Sequence, residues 1–138
     1  METLQVLTRQ HIEDKLQCRE LMKDIQQNKD KQSLKQSIIQ FWRNSVQKHV
    51  ESEETFLFPF LQKHHFSRVF INTLKRDHDT IRTLAERLPF YDDGYQLYKT
   101  FINLVEQHNR FEDEFLFRKM KEELPPQELA QLNMTMAR

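Results

Sequence analysis

Residues His49–Pro59 have the sequence HVESEETFLFP, and the chain contains a second version of this stretch, HNRFEDEFLFR, at residues His108–Arg118. In both copies a histidine is followed four residues later by a glutamate, then by another acidic residue and an apolar run that contains phenylalanine. On a helix, side chains four positions apart differ by about 40° around the axis and lie one turn apart, so they point in the same direction. The pairs His49–Glu53 and His108–Glu112 therefore predict a metal site built from facing helices.

The length and composition of the chain predict one helical domain that covers residues 1–138. A chain of 138 residues can bury a hydrophobic core, and one glycine and four prolines leave few places for tight hairpin turns. The abundance of Leu, Gln, Glu and Lys favours helices. We therefore expect an all-α protein.

The charge and hydropathy of the sequence argue against nucleic acid and membranes as partners. Lys and Arg total 21, as do Asp and Glu, so the chain has no net charge that would attract a polyanion. No apolar run approaches the roughly 20 residues of a membrane-spanning helix, and the first residues lack the basic and apolar regions of a signal peptide. Because the single cysteine, Cys18, also fits a reducing compartment, we expect a cytoplasmic protein.

Apolar residues at steps of three and four positions predict four long amphipathic helices and a short fifth helix. The predicted helices cover residues 2–27, 34–58, 67–88, 93–121 and 127–137. Ser33 and Ser67 are expected as N-caps, and Pro59 is expected to break or kink the second helix. The expected connections include residues 60–66 and the turn at 92–94. Short connections between four helices indicate an up-down-up-down four-helix bundle.

Each of the four inward helix faces carries one histidine near its middle, and two of these faces add a glutamate. These candidate metal ligands are His11, His49, Glu53, His78, His108 and Glu112. Imidazole nitrogen suits iron, zinc and copper, and a carboxylate between two cations can bridge them. A buried glutamate is costly unless positive charge lies nearby, and a bound metal ion would supply that charge.

Four other side chains of types found in functional sites are interpreted without a metal-binding role, together with the cysteine. Phe56 and Phe115 are predicted to face inward as part of the core. Cys18 is interpreted as a small buried apolar side chain. His64 and His65 lie outside the inward faces and are expected in a loop or at the surface.

The paired H-x-x-x-E motifs, each followed by an acidic, Phe-rich segment, and the single histidines on the two other helices resemble the hemerythrin family, also called the HHE cation-binding domain. The resemblance extends from about His11 to Phe117, and the short last helix also fits it. It implies a four-helix bundle around a centre of two non-haem iron ions that two carboxylates bridge. It implies two histidines for each ion and two bridging glutamates: His11 with His49, His78 with His108, and Glu53 with Glu112.

The chain departs from oxygen-carrying members of this family on the third helix, where those proteins have a second histidine one turn from the first. Leu74 and Arg82 stand one turn on either side of His78, and neither is expected to be a ligand. Four carboxylates are candidates for a substitute ligand, in no order that the sequence sets: Asp14, Glu54, Asp77 and Asp113. On the fourth helix the five-residue spacing of Asp113 from His108 matches the carriers, whereas the four-residue spacing of Glu112 matches the wider HHE group, and we favour Glu112 as the bridge.

The resemblance leaves three functions open. The first is a di-iron protein that binds or senses oxygen or nitric oxide. The second is a redox or iron-delivery role, such as peroxide reduction or the repair of iron–sulfur clusters under oxidative or nitrosative stress. The third is a metal-free or zinc-stabilised bundle that acts through protein partners. The sequence favours a gas-binding protein over a dedicated enzyme, and a sensing role would require a separate protein partner that the sequence does not identify.

Overall fold

The computed structural model describes residues 4–90 and 95–137 and contains five helices and no strand in these ranges. Helix α1 is Gln5–Gln26, α3 is Arg68–Arg87 and α5 is Pro126–Met136. Helix α2 is continuous from the segment Lys31–Phe41 to the segment Phe58–Lys63. Helix α4 is continuous from the segment Gln96–Phe111 to the segment Phe117–Glu123. The predicted all-α fold, a four-helix up-down bundle with a short fifth helix, is confirmed.

Both long composite helices contain π-helical turns, in which the backbone hydrogen bonds skip one residue more than in an α-helix. In α2 these turns are Trp42–Val46 and Glu53–Leu57, and in α4 the turn is Glu112–Leu116. The extra residue in each turn shifts the inward face by one position. Phe56 and Phe115 are consequently exposed, with 38% and 55% of their surfaces accessible, so the prediction that they face inward was wrong.

Two predicted boundaries of α2 were also wrong. The helix begins at Lys31 rather than near Leu34, because the Asp30 carboxylate accepts a hydrogen bond from the backbone N–H of Ser33 and caps the first turn. Pro59 does not end the helix. It follows a π-helical turn and lies in the first turn of the segment Phe58–Lys63, where a missing N–H group is tolerated.

The other boundaries agree more closely with the prediction. Ser67 is the N-cap residue of α3, although its side chain makes no capping hydrogen bond. A short 3₁₀ turn, Leu88–Phe90, follows α3. The predicted turn at 92–94 and the predicted start of α4 at Asp93 lie outside the described residues.

The buried apolar side chains form two clusters at opposite ends of the bundle. One contains Cys18, Phe101 and Trp42, whose ring meets that of Phe101 edge-on. The other contains Leu74 and Leu116, and it includes residues of α5, which covers that end. Each long helix runs from one cluster to the other, and the six candidate ligands lie on the stretches between them. The fold thus surrounds a polar centre with apolar side chains above and below.

Within the described ranges, no helix combines the length and apolar character needed to cross a membrane.

Candidate metal centre

All six candidate ligands come together in the middle of the bundle, and each is at most 5% exposed. They are supplied by all four long helices: His11 by α1, His49 and Glu53 by α2, His78 by α3, and His108 and Glu112 by α4. Two groups of four ligand atoms form, each with its atoms within 4.8 Å of one another, and both groups include Glu53 and Glu112. The centre therefore consists of two half-sites that share two carboxylates.

The first half-site contains His11 and His49. Their Nε2 atoms lie 3.2 Å apart, and the two imidazole rings stack with centroids 4.8 Å apart. The Nε2 atom of His11 lies 2.8 Å from Oε1 of Glu112, and Nε2 of His49 lies 2.9 Å from Oε2 of Glu53. Four potential ligand atoms thus converge on one small volume.

The second half-site contains His78 and His108. The Nε2 atom of His78 lies 2.8 Å from Oε1 of Glu53, and Nε2 of His108 lies 3.3 Å from that same oxygen. The Nε2 atom of His108 is also 3.3 Å from Oε2 of Glu112. Each glutamate therefore places one oxygen in the first half-site and the other oxygen in the second.

The four carboxylates considered as substitute ligands belong to neither group of ligand atoms. Each instead lies beside the Nδ1 atom of one histidine, on the side of the ring that faces away from the centre. The Nδ1–oxygen distances are 2.7 Å for His11 and Asp113, 3.6 Å for His49 and Asp14, 3.0 Å for His78 and Glu54, and 3.2 Å for His108 and Asp77. A carboxylate in that place accepts the Nδ1 proton and leaves Nε2 free to bind a metal ion.

Other side chains hold two of these outer carboxylates in place. Asp14 accepts hydrogen bonds from the hydroxyl of Ser45 at 2.6 Å and from the side-chain amide of Asn109 at 3.3 Å. The guanidinium group of Arg82 donates to both oxygens of Glu54, at 2.9 and 3.0 Å. Arg82 therefore supports the centre from outside.

The pKa values of the histidines reflect their acidic surroundings. Burial lowers the pKa of His49 and of His108, but the charges of Glu53 and Glu112 and the neighbouring hydrogen bonds outweigh burial, and both values lie well above the ordinary 6.5. Burial lowers the pKa of His11 too, but the hydrogen bond to Asp113 and the attraction of the nearby Glu112 carboxylate outweigh burial, so the pKa of His11 is also raised. Each of these three imidazoles therefore binds a proton more strongly than a free histidine does.

The pKa values of the two glutamates are shifted in the opposite direction, downward. Burial raises the pKa of Glu53, but the charge of His49 and hydrogen bonds from the centre outweigh it, so the value lies well below the ordinary 4.5. The pKa of Glu112 is also lowered, although burial and the charge of Glu53 oppose this and the attraction of His108 favours it. Both glutamates are thus carboxylates at neutral pH, the form that binds metal ions.

Two observations test whether a metal ion fits. Neither oxygen of Glu112 has a hydrogen-bond partner of good geometry, although the residue is fully buried. Two nitrogen ligands of one ion, each about 2.1 Å from it, would be about 3 Å apart, and the 3.2 Å between the Nε2 atoms of His11 and His49 agrees with that spacing. A cation would satisfy the Glu112 oxygens and hold the two nitrogens together, so the residues fit a metal ion.

A family model for the hemerythrin HHE cation binding domain matches residues 2–120. The chain belongs to the hemerythrin HHE family. Searches of curated proteins and of solved structures returned no significant match. Family membership and the buried His/Glu groups together make the chain a cation-binding protein.

Sequence reasoning found the six converging residues but missed the roles of the residues behind them. Ser45, Asn109 and Arg82 carried no motif that marked them, because their contacts depend on how neighbouring helices pack. His64 lies outside the centre, as expected, and its Nε2 atom is 3.1 Å from a carboxylate oxygen of Glu128 on α5.

A cavity of about 150 Å³ adjoins the first half-site between α1 and α4. It is lined by His11, Lys15, Cys18, Glu106, Asn109, Arg110, Asp113 and Glu114. Burial raises the pKa of the Cys18 thiol, which therefore stays protonated. The cavity therefore lies directly beside the His11 ring.

Proposed function

We propose that the chain binds two non-haem iron ions, one in each half-site, and that it binds or senses oxygen or nitric oxide at this centre. In the proposed arrangement His11 and His49 hold one ion, and His78 and His108 hold the other. Glu53 and Glu112 bridge the ions. The observation that carries the proposal is the placement of one oxygen of each glutamate in each half-site.

The number of protein ligands supports binding of an additional small ligand. Each half-site offers two histidines and two shared carboxylate oxygens among the described residues. Nitrogen and carboxylate ligands with open coordination positions are typical of non-haem iron centres that bind oxygen. Reduced iron supplies affinity for oxygen and nitric oxide, and the open positions leave room for either.

Aromatic rings restrict water around the centre. The ring of Phe117 lies parallel to that of His11, with centroids 5.6 Å apart, and the ring of Phe58 lies 5.0 Å from that of His78. These rings fix the imidazole orientations and replace water next to the proposed ligands. A dry surrounding protects a bound diatomic molecule from protons and from displacement by solvent.

The cavity beside His11 favours a second candidate, the redox or iron-delivery role. Its walls include the charged side chains of Lys15, Arg110 and Glu106. A polar passage of about 150 Å³ would admit hydrogen peroxide or an outgoing ion as well as a diatomic gas. Reversible recovery of an oxygenated spectrum would favour the binding role, whereas consumption of peroxide or transfer of iron to an acceptor would favour the alternative.

The experiment that tests the proposal is metal analysis of aerobically purified protein, with visible spectra before and after reduction and re-oxygenation. About two irons per chain and a charge-transfer band of an oxo-bridged pair are expected. Zinc in place of iron, or no metal after anaerobic reconstitution, would contradict the proposal and favour a structural bundle.

A further inference from the structure

The two half-sites differ in how their outer carboxylates are supported. In the second half-site, Arg82 donates to both oxygens of Glu54, and one of these oxygens lies 3.0 Å from Nδ1 of His78. The other nitrogen of the His78 ring, Nε2, lies 2.8 Å from the shared Glu53. A continuous chain of polar contacts therefore connects a guanidinium group near the surface to a proposed bridging carboxylate.

The first half-site lacks such a cation: Asp14 is held by the neutral side chains of Ser45 and Asn109. Asp77 in the second half-site has no such cation either among the described residues, so the difference lies between Glu54 and Asp113. Asp113 stands at the same place in the repeat as Glu54, and it lies 2.7 Å from Nδ1 of His11. Its side chain is 41% exposed and lines the cavity between α1 and α4, and within the described ranges no lysine or arginine forms an ion pair with it. Glu54 is almost as exposed, at 35%, so the two carboxylates differ mainly in charge pairing: one guanidinium nitrogen of Arg82 donates to both oxygens of Glu54.

We infer that the two half-sites hold their metal ions unequally, so that the ion at His11 and His49 leaves first and the ion at His78 and His108 is retained. This inference rests on the proposed two-ion centre, and it makes Arg82 a positioning residue for the second half-site. An ion leaves when a ligand rotates away and water takes its place. Rotation of the His78 ring breaks a contact to Glu54 that Arg82 supports, whereas rotation of the His11 ring breaks a contact to Asp113 that no lysine or arginine among the described residues supports.

The protein would then have a defined intermediate state with one ion. In that state Glu53 and Glu112 each keep one oxygen on the retained ion and present the other to the emptied half-site. The next ion meets a half-formed site, so loading and release follow a fixed order. An ordered exchange at one half-site suits a centre that must respond to metal supply without losing its fold.

Cobalt(II) tests the order, because it binds nitrogen and oxygen ligands and its visible bands report coordination without redox chemistry. Protein loaded with two cobalt ions is mixed with excess chelator, and release is followed by absorbance. Two phases whose rate constants differ by about 10-fold or more are expected, from the usual effect of outer-shell contacts on metal affinity. Anomalous diffraction from crystals of the one-ion state should locate the remaining cobalt between His78 and His108.

The variant Arg82→Gln tests the positioning role. It should speed the slow phase by about 10-fold and leave the fast phase unchanged. Arg82→Lys should keep the slow phase closer to that of the unmodified protein, because the positive charge beside Glu54 remains while the planar guanidinium group is lost. Arg110→Gln is the matched control: it removes the same charge from the cavity beside the first half-site and should leave the slow phase unchanged.

The thermal midpoint of each metal-free variant is measured as well. If Arg82→Gln does not fold, Glu54→Gln tests the same step, because an uncharged amide cannot form the ion pair with Arg82. A single release phase, retention of cobalt at His11 and His49, or equal acceleration of both phases in Arg82→Gln would overturn the inference. Failure of the unmodified protein to bind two ions would instead contradict the proposed function.

Discussion

Glu53 and Glu112 occupy the same position in the two repeats, yet their surroundings in the metal-free protein differ. Glu53 lies within hydrogen-bond distance of His49, His78 and His108, at 2.8 to 3.3 Å. The oxygens of Glu112 have no hydrogen-bond partner of good geometry, although imidazole nitrogens lie as close as 2.8 Å. The repeat therefore determines where a carboxylate stands, and the packing of the other two helices determines what it contacts. Glu53 is held by hydrogen bonds to three histidines, whereas Glu112 is held by its attraction to His11 and His108 without a hydrogen bond of good geometry.

Replacing either shared glutamate should have the largest effect on metal binding. Glu53→Ala and Glu112→Ala should each reduce iron to less than one ion per chain, because each removes a ligand from both half-sites. In the metal-free protein Glu53→Ala should be the more destabilising, by up to about 3–5 kcal/mol, since it leaves protonated histidines buried without their partner. Metal analysis and chemical denaturation measure the two effects.

The isosteric variants Glu53→Gln and Glu112→Gln serve as controls for packing. They should lose iron as the alanine variants do but keep more of the stability. Unchanged iron content in both alanine variants would contradict the assignment of these residues as bridges.

The π-helical turns of the two repeats predict that alanine substitutions at neighbouring positions lower the free energy of unfolding by very different amounts. Leu57→Ala and Leu116→Ala should each cost about 2–5 kcal/mol, because both side chains are fully buried. Phe56→Ala and Phe115→Ala should cost much less, about 1 kcal/mol or below, because the turns place these rings at the surface. Urea denaturation of the four variants would measure these free energies. A larger loss of stability in the phenylalanine variants would indicate that Phe56 and Phe115 face inward, as α-helical spacing predicts.

Metal-free and metal-loaded protein should respond to pH in opposite directions. The pKa of His49 and His108 is raised above 6.5, so their contribution to stability is fully present below pH 6.5 and is lost as pH rises through the raised values. The pKa of Glu53 is lowered, so its contribution is present above pH 4.5 and is lost as pH falls through the lowered value. Metal-free protein should therefore be most stable in weakly acidic solution.

Metal ions bind the deprotonated imidazoles, so affinity should rise over the same range in which metal-free protein loses stability. Thermal midpoints should be measured at pH 6 and pH 8, with and without metal. The midpoint of the metal-free protein should fall between these pH values, whereas the stabilisation by metal should increase. In Glu53→Gln the decline of metal-free stability above pH 6.5 should be weaker, because the carboxylate that raises the pKa of the histidines is gone. A metal-free protein whose stability rises steadily towards alkaline pH would contradict this prediction.

Arg82→His should have the smallest effect on the coordination of the metal. Arg82 contacts Glu54 on the outer side of His78 and does not belong to either group of ligand atoms. An imidazole at this position should therefore add no ligand, and the charge-transfer band of the iron protein should keep its energy. A new charge-transfer band would indicate that position 82 can reach the centre.

The sequence was sufficient to predict the helical bundle and the convergence of all six residues. Spacing of three and four residues sets the face of a helix, and short connections make neighbouring helices antiparallel, so residues such as His11 and His49 were expected to meet near the middle. The metal-ligand roles of these residues, a single domain and a cytoplasmic location stay predictions.

Other features depend on contacts that are not local in the sequence. The π-helical turns place Phe56 and Phe115 at the surface. The α-helical period of 3.6 residues per turn, on which the predicted inward faces rest, does not predict a π-helical turn. Asp14 and Asp113 were weighed as metal ligands because the sequence shows that a carboxylate is near but not which side of an imidazole it faces. The cap at Asp30 was missed because Ser33 offers an equally good capping side chain.

The four outer carboxylates have a consequence for the redox chemistry of the centre. Together with the two shared glutamates they give six negative charges within two contacts of the proposed ions, while the histidines that bind metal would be neutral. The guanidinium group of Arg82 offsets one of them, and the remaining five negative charges still exceed the charge of two ferrous ions by one. Such surroundings would stabilise the oxidised pair and lower its reduction potential. The spacing of acidic residues around the histidines would therefore set how readily this protein gives up electrons.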